Sequence, residues 1–230
     1  MSRLAHRITR RGDRRRADRL TVGLAGLAIV TAGSVLATEI TRLARRRVRR
    51  SDPPTGVLKT AEQAIGTAGR ATQDTVAVAI EGYEATPGHE TVLFNLLSGF
   101  VLAFALMRLS TAGIRGGWWP FGNVRLGGRH IHHFVPGILI AFASGAVALV
   151  TENTRLEEAL AVPFGAGIGL TFDEAALLLD LRDVYWTREG VLSVQLSCGL
   201  AATLGGTILA LRILRRGEER VAAAGLIPAP

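Results

Sequence analysis

Long blocks of apolar residues, separated by short polar segments, dominate the chain. About 20 apolar residues cross a bilayer as one helix, and a soluble domain would instead mix apolar and polar positions throughout its length. The blocks lie at residues 20–40, Thr91–Ser110, Phe134–Thr151, Ala159–Leu181 and Val191–Leu214. The pattern predicts an all-α, polytopic membrane helix bundle, with four core transmembrane helices in residues 91–214 and one amino-terminal anchor helix at residues 20–40.

The segments outside these blocks are polar. Residues 1–19 are expected to form a disordered basic tail, and residues 215–230 a carboxy-terminal tail. Residues 41–90 begin with a basic stop and continue into a helix at Thr55–Glu81, which is either a solvated linker or an amphipathic helix in the membrane interface. The first apolar block also fits a signal peptide cleaved after Ala37, but the basic run that follows it favours a retained anchor.

Arginine supplies almost all of the positive charge. The chain has 230 residues and a formal net charge of +8, with Lys59 as its one lysine. The arginines cluster at Arg3–Arg19, Arg42–Arg50 and Arg212–Arg220, next to apolar blocks. Such clusters hold membrane orientation and attract anionic lipid headgroups. The expected partners are therefore the lipid bilayer and its anionic headgroups, and no nucleic acid, because the basic runs carry no nucleic-acid-binding motif. With Cys198 as the single cysteine, the chain forms no internal disulfide.

Two polar clusters stand out beside the apolar blocks. Residues 129–133 read Arg-His-Ile-His-His, and the second cluster contains Asp173, Glu174, Asp180 and Asp183. Ionisable groups at membrane depth are costly and face protein or a water-filled cavity. The acidic turn at 152–158 joins the third and fourth apolar blocks into an antiparallel hairpin. Loops 110–130 and 182–190 then lie on the opposite side of the membrane from this turn.

The hairpin also predicts a register between the two helices. At about 1.5 Å of rise per residue, His133 is expected opposite Asp180 and His130 opposite Asp183. The same register sets Gly137 against Ala176 and Gly145 near Gly169. Small residues at Gly137, Ala141, Gly145, Gly165 and Gly169 are expected to let the two helices approach closely.

Three interpretations of these clusters stay open. The first is a site that binds a divalent metal such as zinc, iron or manganese, or performs acid–base chemistry, since imidazole and carboxylate suit both tasks. The second is a proton or ion relay. The third is structural pairing of Asp180 and Asp183 with Arg108, Arg125, Arg129 and Arg182 at the membrane interface. The apolar remainder of both helices, Ala141–Val150 and Ala159–Gly169, favours a one-sided site over a pore.

The leading hypothesis is an enzyme-like site at one membrane face that acts on a lipid or a lipid-soluble substrate. The non-enzymatic alternative is a transporter, a relay or a scaffold whose charged groups are structural ion pairs. In the leading hypothesis the residues have three roles. The catalytic candidates are His132, His133, Asp173 and Glu174; the substrate-binding candidates are Arg129, Tyr185 and Trp186; and the metal-ligand candidates are His130, His132, His133, Asp173, Asp180 and Asp183.

Three stretches carry a family resemblance. They are Arg129–Ile138, Gly167–Glu174 and the Asp-Val-Tyr-Trp sequence at 183–186. Together they resemble a family of uncharacterised integral membrane proteins of high-GC Gram-positive bacteria, over about residues 90–200. The resemblance implies a multi-pass protein of the bacterial cytoplasmic (inner) membrane and brings no activity with it.

Overall fold

The computed structural model describes residues 3–50, 57–120, 125–126, 129–130, 132–173 and 188–227. Within these ranges the chain forms six helices: α1 (Arg3–Arg50), α2 (Val57–Glu84), α3 (Gly88–Gly116), α4 (Phe134–Val150), α5 (Thr154–Asp173) and α6 (Arg188–Ala223). Two short strands, β1 (Arg125–Leu126) and β2 (Arg129–His130), pair in antiparallel fashion between α3 and α4. The helical class predicted from the apolar blocks is confirmed for this part of the chain.

Three of the described helices are long and apolar enough to cross a membrane. The candidate spans are Val22–Arg50, Gly88–Gly116 and Cys198–Ala223, and α4 is a shorter apolar helix. They correspond to the predicted first, second and fifth blocks. The predicted fourth block, Ala159–Leu181, is described only as far as Asp173.

Helix α1 begins earlier than the composition suggested. A disordered tail was predicted for residues 1–19, but the helix starts at Arg3 and runs without a break to Arg50. The tail is rich in arginine, which is a good helix former. Because adding a turn to an existing helix costs far less than nucleating one, the apolar block extends its helix into the tail.

Helices α3 and α6 end in the same way. Gly117 and Gly225, one residue or two past each helix end, both adopt a φ of +73°. After α3, the N–H of Trp118 donates to the Gly113 carbonyl at 3.1 Å and the N–H of Gly117 to the Ile114 carbonyl at 3.3 Å. This pair of bonds is a Schellman motif, which satisfies the last helical carbonyls and favours glycine in the left-handed conformation.

A side-chain cap fixes the start of α5. The connection from α4 is only residues 151–153, and the side-chain oxygen of Asn153 accepts the N–H of Leu156 at 3.1 Å. This bond satisfies one of the unpaired donors of the first turn. Helix α5 therefore begins at Thr154, whereas the apolar pattern predicted Ala159.

The chain divides into two compact units. Unit 1 comprises residues 1–29 and 92–206, and unit 2 comprises residues 30–91 and 207–230. In unit 1, a core of Leu24, Phe100, Phe104 and Ala202 is buried.

Helix α5 packs closely against two neighbours in unit 1. Gly169 approaches the carbonyl of Phe100 on α3 so closely that an added Cβ would lie 2.6 Å from it, and Gly165 packs on Leu96 in the same way. Gly167 instead faces α4, where an added Cβ would lie 2.6 Å from the Gly137 carbonyl. Residues four apart share a helix face and residues two apart do not. The predicted contact of Gly165 and Gly169 with α4 is thus replaced by contact with α3.

Unit 2 contains the carboxy-terminal part of α1, helix α2 and the end of α6. Its buried core is made of Leu43, Ala71, Val78, Leu214, Val221 and Ile227. The backbones of α2 and α6 touch at Gly82, which meets the Ile213 carbonyl, and at Gly217, which meets the Val78 carbonyl. Helix α2 is therefore a packed element of this unit, which the linker and interfacial-helix interpretations of residues 41–90 did not foresee.

Ion pairs join the helices of unit 2. Arg46 and Arg42 both contact the buried Glu218, the latter at 2.9 Å. On the neighbouring face, Arg47 binds Asp74 through two bonds of 2.5 and 2.7 Å. Part of the arginine run predicted to face lipid headgroups thus pairs inside the protein.

Candidate functional site

Asp173, the last residue of α5, is the most deeply buried carboxylate of unit 1 among the described residues. The residue is 3% exposed, and its side chain is completely inaccessible. Two partners flank the carboxylate. Oδ1 forms an ion pair with Nε of Arg108, and Oδ2 lies 2.7 Å from Nε2 of His133. Arg108 also donates from Nη2 to the backbone carbonyl of Asp173 at 3.1 Å.

Three helices bring these side chains together. His133 immediately precedes α4, and the short α4–α5 connection lies at the other end of the hairpin, so His133 and Asp173 meet at one end. Helices α3 and α5 run parallel, since Gly165 packs on Leu96 and Gly169 on Phe100. Asp173 follows Gly165 and Gly169 at the same four-residue spacing, so it lies on the same face of α5, toward α3.

Arg108 reaches Asp173 from the following turn of α3. Helical side chains lean toward the amino terminus, and the Arg108 guanidinium lies 5.9 Å from the centre of the Phe104 ring, one turn before it. The ring shields the ion pair on that side and adds a cation–π contact. The arginine side chain is 13% exposed, so the pair is largely removed from solvent.

The cluster has a defined charge arrangement. The guanidinium of Arg108 carries a positive charge and lies against the Asp173 carboxylate. An ionised carboxylate only accepts hydrogen bonds, so beside such a group Nε2 of His133 would carry the proton and donate it to Oδ2. Nδ1 is then the basic nitrogen of the ring. The His133 side chain is 25% exposed, which leaves the ring more accessible than the acid that orients it.

The register of the hairpin differs from the predicted one. Gly137 was expected opposite Ala176, but it packs against Gly167, Leu170 and Thr171. The offset is roughly two helical turns. Its cause is the early start of α5, which moves every later residue of that helix further along α4. His133 consequently meets Asp173, where Asp180 had been predicted.

The other predicted site residues are placed as follows. His132 is half-buried, and its ring stacks on Phe134 with centroids 6.3 Å apart. In the backbone, Arg129 pairs with Leu126 and His130 with Arg125 across the two strands. Lying outside the described residues are Glu174, Asp180, Asp183, Tyr185 and Trp186.

Arg108 is the residue whose role was misjudged. It was considered only as a structural partner for Asp180 and Asp183, yet it contacts Asp173. The signal that points to it is the four-residue spacing of Gly165 and Gly169, which marks a second packing face on α5 and hence a third helix beside the hairpin.

A metal site is not assembled from the side chains that the structure describes. They include no group of three histidine, cysteine or carboxylate residues close enough to hold an ion. Within the cluster, the 2.7 Å between Nε2 of His133 and Oδ2 of Asp173 is a direct hydrogen-bond distance. The arrangement suits proton exchange at His133.

The fold and this cluster define a helical protein with three candidate membrane-spanning helices in its described part and a buried Arg–Asp–His cluster. Comparison of the chain with protein-family models, with curated proteins and with solved structures finds no match.

Proposed function

We propose that the chain is a multi-pass protein of the bacterial cytoplasmic membrane whose Arg108–Asp173–His133 cluster is an acid–base site for a lipid or a lipid-soluble substrate. The observation that carries this proposal is the completely buried Asp173 carboxylate, flanked by Arg108 and His133. In the full arrangement, four core helices and the amino-terminal anchor cross the bilayer.

The apolar surface supports a membrane location. Besides the three candidate spans, α4 exposes large apolar side chains, with Phe142 77%, Val150 81% and Leu149 89% accessible. Contiguous exposed apolar patches are rare on soluble monomers, because the hydrophobic effect opposes them. In lipid the same side chains carry no such cost.

The charge arrangement supports acid–base chemistry. The Asp173 carboxylate is completely buried between Arg108 and His133, and the His133 ring is the more accessible of the two, so the group proposed to exchange protons is His133. Histidine is suited to this because its ordinary pKa lies near physiological pH. Asp173 orients the ring and stabilises it when it is protonated, and Nδ1 takes or delivers the proton.

A substrate from the membrane fits the position of the cluster. His133 and Asp173 lie at one end of the apolar hairpin, where a lipid headgroup meets the acyl region. Arg129 would hold an anionic headgroup, Tyr185 and Trp186 would line the approach, and Glu174 would assist as a second acid. In the metal version of the site, His132, His133 and Asp173 would act with His130, Asp180 and Asp183 as ligands of zinc, iron or manganese.

A second candidate function is structural. Arg108 binds both the side chain and the backbone carbonyl of Asp173, so the cluster ties α3, α4 and α5 together. In that case the protein is a scaffold or a transporter, and the cluster serves stability.

Lipid turnover by the purified chain in vesicles separates the two functions. We expect mass spectrometry to find a lipid converted by the wild type and not by His133→Gln, with both proteins equally stable. Unchanged lipids in both samples, over a range of bacterial lipids, would favour the structural function. Metal analysis tests the metal version, with His132→Ala/His133→Ala as the control; equal and negligible metal in both would exclude it.

A further inference from the structure

The arginines at the end of helix α1 fall into two sets. Arg42, Arg46 and Arg47 each pair with a carboxylate of α2 or α6. Arg45 and Arg49 are exposed, and neither forms an ion pair with any residue that the structure describes. At 100° per residue Arg49 lies only about 20° from Arg42, and Arg45 about 60° from it, so the two sets occupy adjacent parts of the helix surface. The arginine run therefore contains a structural set and a second set that faces outward.

The outward arginines border a groove between α1 and α2. The groove has a volume of about 590 Å³, within the range of small-molecule sites. Apart from the two arginines, most of its lining is apolar, contributed by Ile40, Ala44 and Val48 of α1 and by Ala68 of α2. A groove with an apolar wall and two cationic groups matches an amphiphile with a negative headgroup.

We propose that this groove binds an anionic phospholipid. Its phosphate would contact Arg45 and Arg49, and the start of an acyl chain would lie along Val48 and Ala68. The groove lies toward the end of the candidate span Val22–Arg50, and the ends of spans are where headgroups and arginines meet. The inference rests on the membrane location proposed above and is independent of the chemistry at His133.

A second copy of the chain is a poorer occupant of the groove. A two-fold dimer interface presents the same patch from both partners. The partner would then bring the same two positive charges to the groove, and like charges repel when they are brought together away from water. Charge complementarity favours the anionic lipid.

Native mass spectrometry of the detergent-purified full chain tests the proposal, with phosphatidylglycerol as the anionic probe and phosphatidylcholine as the neutral one. We expect the wild type to retain phosphatidylglycerol preferentially. Arg45→Ala/Arg49→Ala should weaken its binding about 25-fold, because each basic residue near the surface contributes roughly a fivefold gain. Ala68→Phe should also weaken it, since the new ring fills the groove while both charges remain.

Matched variants make the result specific. Arg215→Ala/Arg220→Ala removes two exposed positive charges from α6 of the same unit and should leave binding unchanged. The proposal is overturned if both double variants lose the lipid equally, if Ala68→Phe has no effect, or if glycerol 3-phosphate alone competes as well as the lipid. A dimer that Ala68→Phe dissociates would overturn it in favour of a second copy.

The groove proposal and the His133 proposal are distinguished by measuring lipid binding and lipid turnover for the variants of both sites. We expect His133→Gln to bind phosphatidylglycerol like the wild type. If that variant binds the lipid but no substrate is ever turned over, the acid–base proposal fails and the groove stands. If turnover is observed and the groove variants bind normally, the groove proposal fails alone.

Discussion

Nε2 of His133 lies 2.7 Å from Oδ2 of Asp173, a residue 40 positions later in the chain. Since α4 and α5 fill the interval as an antiparallel hairpin, the contact joins the two open ends of that hairpin. Arg108, on a third helix, forms an ion pair with the same Asp173 carboxylate. Because a charged carboxylate in an apolar surrounding needs a partner, the stability of this region depends on the ion pair.

Asp173→Ala should strongly destabilise the protein. It leaves the guanidinium of Arg108 buried without its carboxylate, and breaking one side of a buried pair costs about 3 to 5 kcal/mol. Thermal unfolding in detergent measures the loss. The exposed Glu157, in the first turn of the same helix, provides the control, since Glu157→Gln loses only a surface charge and should change stability by no more than about 1 kcal/mol.

Removing both charges should restore much of that stability. Replacing a buried ion pair by apolar residues of similar volume is often neutral or favourable, so Arg108→Met/Asp173→Leu should be clearly more stable than Asp173→Ala. A double variant as unstable as the single one would show that the two side chains are not coupled.

The tautomer of His133 gives a direct test of the charge arrangement. With Asp173 ionised, we expect nitrogen NMR of the labelled protein to find the neutral ring protonated at Nε2. The His133→Gln spectrum assigns the signal among the five histidines of the chain. A ring protonated at Nδ1 would mean that Asp173 is the donor, which contradicts an ionised carboxylate beside Arg108. Asp173→Asn should remove the preference, because an amide both donates and accepts.

Two glycines of α2 should respond oppositely to alanine. At Gly82 an added Cβ would collide with the Ile213 carbonyl of α6, whereas at Gly66 it would meet no atom within 4 Å. Gly82→Ala should therefore cost about 1 to 3 kcal/mol of stability through overpacking. Gly66→Ala should gain about 0.5 to 1 kcal/mol, because alanine favours the helix. Equal effects at both positions would contradict the packing of α2 against α6.

The sequence identified the hairpin and most of the cluster, because apolar blocks and the charged residues within or beside them are local signals. His133 and Asp173 were both candidates on that basis. Their pairing was missed for a physical reason: a three-residue connection capped by Asn153 shifts the register, and the apolar pattern does not reveal where the helix starts.

The contacts that each arginine of α1 makes were less predictable from the sequence. Arg42 and Arg45 are identical in type and three residues apart, yet the first pairs with Glu218 and the second lines a groove. The difference depends on a carboxylate more than 170 residues away along the chain. Composition predicts an arginine cluster beside a span. Only the packing of α1 against α2 and α6 determines which of these side chains pair with a carboxylate and which line the groove.

The ends of α5 should be accessible from opposite sides of the membrane. The helix has 20 residues, which at about 1.5 Å of rise per residue makes it roughly 30 Å long, the thickness of the hydrocarbon core. Since α3 runs parallel to α5, Ile114 lies at the end that holds Asp173, and Thr154 at the other. In a Cys198→Ser background, Ile114→Cys and Thr154→Cys should react with a membrane-impermeant thiol reagent from opposite faces of sealed vesicles. Labelling of both from one face would show that α5 does not cross the bilayer.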